Sequence, residues 1–193
     1  MKEKIISIEM LKAKACNCKK CGFWMQRTNV VFGSGSLDTR ILFVGEAPGY
    51  NEDKKGIPFC GKAGEVLDSL LASINLKRSD IYITNVIKCR PPNNRDPFDE
   101  EIANCKEYLD QQIEIIHPEI ICCLGRHALK NILEKFSIKQ KGSISTLHGR
   151  VFEQVEDIFN RIKVVALYHP AVAVYNPEQY SLLQKDFSIL KEM

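Results

Sequence analysis

Four short apolar runs constrain this chain more than any other feature. Residues 40–45 (Arg-Ile-Leu-Phe-Val-Gly), 81–87 (Ile-Tyr-Ile-Thr-Asn-Val-Ile), 119–124 and 162–167 are β-branched and apolar. Each is long enough for a buried strand and too short for a packed helix. Helical spacing fills the intervals. In residues 64–75, Val66, Leu67, Leu70, Leu71 and Ile74 fall on one face, and in residues 99–116 so do Ile102, Cys105, Leu109, Ile113 and Ile116. Residues 5–14, 126–136 and 177–190 also read as helices, and residues 150–155 as an edge strand beside a 142–149 loop. Strands alternating with helices predict an α/β fold with a parallel sheet covered on both faces. In such sheets the site lies beyond the carboxyl ends of the strands. That rule selects the loops 45–64, 85–97, 125–127 and 168–176.

The 193 residues suit a single domain, taken as 1–193, in which the N-terminal cysteine segment contributes to a metal site. Apolar residues make up 45% and charged residues 26%, a folded balance that argues against disorder. No apolar run approaches the roughly 18–20 residues that span a bilayer. Met1-Lys2-Glu3-Lys4-Ile5 is too mixed for a secretory signal. The expectation is a cytoplasmic protein with no membrane partner. The net charge of +3 decides little, but its distribution is informative. Lys12, Lys14, Lys19 and Lys20 crowd the first cysteines, Arg90 and Arg95 share a Pro/Asn-rich loop, and Lys139, Lys141, His148 and Arg150 form a third group. Such groups either track phosphates or are solvated surface.

Eight cysteines in a chain expected in reducing cytosol point to metal rather than disulfides. Cys18-x-x-Cys21 is a chelating pair, and Cys89 and Cys105 can complete four thiolates, with Cys16 as a substitute. Zinc and an iron–sulfur cluster both accept four thiolates. Zinc ribbons supply two tight pairs, and only one is present, which leans towards a cluster. Cys122 and Cys123 lie inside an apolar run and read as core.

Several motifs follow one another in order. Gly45-Glu46-Ala47-Pro48-Gly49 precedes Glu52-Asp53. Next come Gly56-Ile57-Pro58-Phe59-Cys60-Gly61-Lys62-Ala63-Gly64, Thr84-Asn85-Val86-Ile87-Lys88-Cys89-Arg90-Pro91-Pro92, and finally His169-Pro170-Ala171. This series behind a CxxC pair resembles the family 4 iron–sulfur uracil-DNA glycosylases, from about Cys16 to the C-terminal helix. The resemblance implies a three-layer α/β/α sandwich around a central four-stranded parallel sheet. It implies a [4Fe–4S] cluster on Cys18, Cys21, Cys89 and Cys105 that supports loops meeting DNA and does no electron chemistry. It also implies a monofunctional glycosylase that flips uracil out of DNA and hydrolyses its N-glycosidic bond, leaving an abasic site.

Residue types match that chemistry. Phe59 offers a face for stacking, and Ala47 a backbone amide for the base. Asn85 carries a donor and an acceptor, matching O4 and N3–H of uracil and mismatching cytosine. A ring N–H of His169 can stabilise the charge that grows on O2. Glu46 either orients water, stabilises the sugar cation or holds its loop. Gly49 stands where a related branch has a tyrosine barrier to thymine, which leaves Glu52 as the candidate for that edge. Lys88, Arg90 and Arg95 are candidate phosphate contacts, and Val174 or Tyr175 the wedge that fills the vacated stack. The family more often has His-Pro-Ser and an arginine near position 175, so Ala171 and Tyr175 are departures. The competing readings are a non-catalytic nucleic-acid module with a structural metal and a small electron-transfer protein. The expected partner is uracil-containing DNA, single- or double-stranded, with a monomeric chain and a sliding clamp as a further plausible partner.

Overall fold

The computed structural model describes residues 1–155 and 161–193. In chain order the elements are α1 (Lys2–Cys16), β1 (Ser34–Gly35), β2 (Ile41–Gly45), α2 (Tyr50–Lys55), α3 (Lys62–Ser73), β3 (Tyr82–Asn85) and α4 (Asp99–Ile116). There follow β4 (Ile120–Leu124), α5 (Arg126–Lys135), α6 (Ile144–Leu147), β5 (Val151–Val155), β6 (Arg161–Leu167), α7 (Ala171–Tyr175) and α8 (Tyr180–Ser188). The sheet runs β1-β3-β2-β4-β6-β5. Its four central strands are parallel, matching the four apolar runs, while β1 and β5 add antiparallel edges. The sheet therefore has six strands around the expected parallel four. β1 was invisible because a Ser-Gly pair carries no apolar pattern.

Pleating explains why the runs are apolar throughout: alternate side chains enter opposite layers, and both are covered. Leu42 and Val44 face the layer holding α1, α4 and α5, together with Ile121, Cys123, Val164 and Ala166. Phe43 faces the layer of α3 and α8, with Ile83, Cys122, Leu124, Val165 and Leu167. There Phe43 stacks on Phe187 at 5.9 Å. Full burial of each such side chain contributes roughly 1.5–3 kcal/mol. Cys122 and Cys123 thus serve opposite cores, as their apolar neighbours suggested. Among the described residues, no helix is long and apolar enough to cross a membrane.

The chain leaves β2 for β3 on one side and returns across it to β4 on the other. That reversal opens a crevice beyond the carboxyl ends of β2 and β4, the position where such sheets bind ligands.

Candidate active site

A cavity of about 470 Å³ occupies this crevice, lined among others by Glu46, Ala47, Glu52, Phe59, Asn85 and His169. Glu46 and Ala47 leave β2, Asn85 ends β3, and His169 follows β6. Four separated segments of sequence thus meet at one place.

Asn85 is only 2% exposed. Its amide lies against Gly45, where a Cβ would strike Asn85 Oδ1 and stand 2.7 Å from Phe59 Cζ. Glycine at 45 is what lets the amide and the ring share the floor. Phe59 adopts φ +51°, a left-handed conformation that a bulky residue holds only under restraint. The restraint is visible on both sides. Glu52 Oε1 accepts from the amides of Cys60 and Gly61 at 2.9 and 3.0 Å. Arg78 donates to the carbonyls of Pro58 and Phe59 at 3.1 and 2.5 Å and is braced by Asp68. Gly64 has no room for a Cβ, which would collide with the Phe59 carbonyl. Phe59 in turn packs its ring 5.5 Å from that of His169, 30° from parallel.

The Ala171 amide donates to His169 Nδ1 at 3.2 Å. A neutral ring in that arrangement carries its proton on Nε2. Burial holds the ring neutral by lowering its pKa to about 4, against the opposing pull of the Glu52 carboxylate. A neutral imidazole with its proton on Nε2 therefore lines the cavity.

Glu46 lies at the other rim. Burial raises its carboxyl above the ordinary range and Asp96 adds to this, while His127 and Arg126 oppose it. His127 Nε2 sits 3.8 Å from Glu46 and 3.5 Å from Asp96, buried and, among the described residues, without a hydrogen-bond partner. Its approach to Glu46 comes from the β2–β4 pairing, which no local pattern announces.

Three surface expectations change. Lys88 is no phosphate contact: it is 1% exposed, and its ammonium is spent on Thr84 Oγ1, the Asn85 carbonyl and Gln112 Oε1 at 2.6–2.7 Å. Val174 lines a shallow pocket with Val66 and Tyr180 on the far side of α7, away from the cavity. Tyr175 lines the cavity mouth and is 88% exposed. Arg95 also lines the mouth, with its guanidinium paired to both oxygens of Glu101 and lying 4.0 Å over Phe98. Arg90 bonds Asn94 and packs over the ring of Tyr50. His148 is internal to the fold, bonded to Asp186 at 2.8 Å and stacked on Tyr168.

Cys18, Cys21, Cys89 and Cys105 line one small enclosure with Arg27, Lys88 and Tyr108. All four are free thiols. The Cys89 sulfur accepts from Arg27 Nη1 at 3.2 Å, and Tyr108 and Lys88 line the same enclosure. A donor and polar groups beside the sulfurs suit thiolates bound to metal. Among the described residues, no three of these sulfurs lie within 4.8 Å of one another. A tetrahedral zinc draws its thiolates to about 3.8 Å apart, so the cage is wider than one ion needs. Cys16 is exposed at the end of α1 and stands outside it.

Comparison with known proteins agrees in kind. The family model described as the Uracil DNA glycosylase superfamily matches residues 32–191. The type-4 uracil-DNA glycosylase of Archaeoglobus fulgidus is 46% identical over 187 residues, covering 97% of this chain and 93% of that protein. The type-4 uracil-DNA glycosylase of Sulfurisphaera tokodaii is 47% identical over 190 residues, covering 97% and 84%. The protein of the same name from Thermotoga maritima is 44% identical over 169 residues, covering 88% and 84%.

Proposed function

Because this chain belongs to the type-4 uracil-DNA glycosylases of the uracil DNA glycosylase superfamily, we propose that its cavity receives uracil flipped out of DNA. There the C1′–N1 bond is hydrolysed and an abasic site is left. The observation that carries this reading is the Asn85 amide, buried beside the Phe59 ring and opening into the cavity that His169 also lines. Flipping costs a few kcal/mol, and stacking on Phe59 returns roughly 1–3 kcal/mol. Asn85 Nδ2–H donates to O4 and Oδ1 accepts from N3–H. Cytosine offers the reverse pattern, and each buried group it leaves unpaired costs about 1–3 kcal/mol.

Bond breaking sends the C1′–N1 electron pair onto uracil and leaves an oxocarbenium-like sugar. His169 Nε2–H meets the charge growing on O2, with the Ala47 amide beside it. Because the ring begins neutral, this contact strengthens as the reaction proceeds, which is the condition for lowering a barrier. Water then adds to C1′ and gives a proton to Glu46, whose carboxylate burial makes a better proton acceptor than an exposed one. Glu52 supports the Phe59 loop through Oε1. A Cβ on Gly49 would stand 2.8 Å from Glu52 Oε2, so that oxygen fills the edge where a thymine methyl would enter. Tyr175 is the wedge, and Arg90 and Arg95 meet phosphates, Arg95 by exchanging Glu101 for DNA.

The four-cysteine cage fits a [4Fe–4S] cluster by its donor set, four free thiols with the Arg27 guanidinium bonded at Cys89. When bound, the cluster supplies a rigid cross-link between the N-terminal segment, the end of β3 and α4. The base-reading role is tested by Asn85→Ala, which should keep DNA binding and lose activity together with uracil-over-cytosine preference. Unchanged preference in single-turnover assays refutes it.

A further inference from the structure

Lys88 has its carbonyl and its ammonium engaged inside the protein. Its carbonyl accepts from the Val31 amide at 2.8 Å. Its main chain runs directly into Cys89, and the residue lines the enclosure of the four cysteines. Its three ammonium protons match three acceptors: Thr84 Oγ1 at 2.7 Å, the Asn85 carbonyl at 2.6 Å and Gln112 Oε1 at 2.6 Å. Gln112 is itself fixed by donating to the Phe32 carbonyl at 2.8 Å.

None of the three acceptors carries a charge. Burying an ammonium without a counter-charge costs several kcal/mol. Burial pulls its pKa down to about 7, and the sulfurs of Cys105 and Cys89 oppose that pull. A cage of four thiolates has the complementary need, since buried negative charge requires an adjacent cation. Arg27 meets that need at Cys89 from one side, and Lys88 meets it from the other.

The same side chain folds back three residues to the carbonyl of Asn85, where the chain leaves β3. Asn85 therefore has its backbone held by Lys88 while its side chain lines the cavity. We propose that Lys88 is a positioning residue joining the cage to the base-reading amide: its main chain leads into Cys89 at the cage wall, its ammonium holds Asn85, and its charge offsets the thiolates. The proposal rests on the cluster reading of the cage and goes beyond it by giving the cluster a route to the uracil pocket.

Two variants test it, each scored for iron per chain, cluster midpoint potential and single-turnover rate on uracil. Lys88→Met removes the charge and the bond to Asn85. Loss of a nearby cation disfavours the reduced cluster, so the potential should move negative, and the uracil rate should fall at least about tenfold. Gln112→Glu keeps the bond to Asn85 but sets a carboxylate against the ammonium. Its potential should also move negative while the uracil rate stays within about threefold of wild type. It carries the test alone if Lys88→Met does not fold. Equal potentials in wild type and iron-loaded variants overturn the proposal. A shifted potential in Lys88→Met with an unchanged uracil rate overturns the link to Asn85. Wild-type protein that holds no iron refutes the cluster reading instead, and the uracil rate of Lys88→Met then tests the strut by itself.

Discussion

On the proposed mechanism, replacing His169 by alanine removes one hydrogen-bond donor from the place where charge develops, and this sets the size and form of the loss. The Ala171 amide occupies Nδ1, which leaves Nε2–H as the ring's donor at the cavity it lines. Losing one such preorganised donor costs about 10²–10³ in rate, or about 2.7–4 kcal/mol. The donor acts chiefly on the transition state, so affinity for uracil-containing DNA should change by less than about fivefold. The assay is single-turnover cleavage of a labelled oligonucleotide with one uracil, beside a filter-binding titration of the same DNA. A second signature comes from pH. With its pKa lowered to about 4 by burial, His169 stays neutral from pH 5 upward. The wild-type cleavage rate should then show no histidine titration near the ordinary value of about 6.5. Equal losses in affinity and rate would make His169 a simple contact. A rate break near pH 6.5 that disappears in the variant would contradict the neutral-donor mechanism.

Other consequences are as direct. Arg78→Met leaves the Pro58 and Phe59 carbonyls without their donor; it should lower stability by about 1–2 kcal/mol, a melting shift of a few degrees, and slow uracil cleavage, and an unchanged melt and rate would remove Arg78 from the support of Phe59. Cys89→Ala should lose brown colour, iron and stability together, whereas a normal fold with a full complement of iron would mean the ligand set is wrong. Acid stability follows from His169 as well. Its folded pKa lies below the unfolded value, so the unfolded chain takes up the proton first, and stability is lost as pH falls from about 6.5 through about 4. His169→Ala should remove up to roughly 3 kcal/mol of that loss, and identical acid-melting profiles would contradict the burial of the ring.

The layers of the fold were legible because both sheet faces are covered, which forces continuous apolar runs such as Ile41–Gly45 and Ile120–Leu124. The cavity was legible because its residues sit where those runs end. What escaped depends on contacts made across the fold. Lys88 lies two residues before Arg90 and, as a lysine at a strand end, looks like surface, but its acceptor Gln112 is 24 residues away on α4. Glu52 reads as one of an acidic pair, Glu52-Asp53, and its partners, the Cys60 and Gly61 amides, carry no side-chain signature. Arg78 looks like one more basic residue after a helix, yet it clamps a loop 19 residues earlier. Val174 and Tyr175 were indistinguishable in sequence, and the turn of α7 separates them, sending one towards α3 and the other to the cavity mouth.

The central claim is that this pocket releases uracil and spares the other pyrimidines. Purified protein should be mixed in excess with labelled oligonucleotides carrying a single uracil, thymine or cytosine, then treated with alkali to cut abasic sites. Cleavage confined to the uracil strand is the predicted result. An iron-loaded protein that binds all three strands and cuts none would contradict the reading and leave a DNA-binding module in its place.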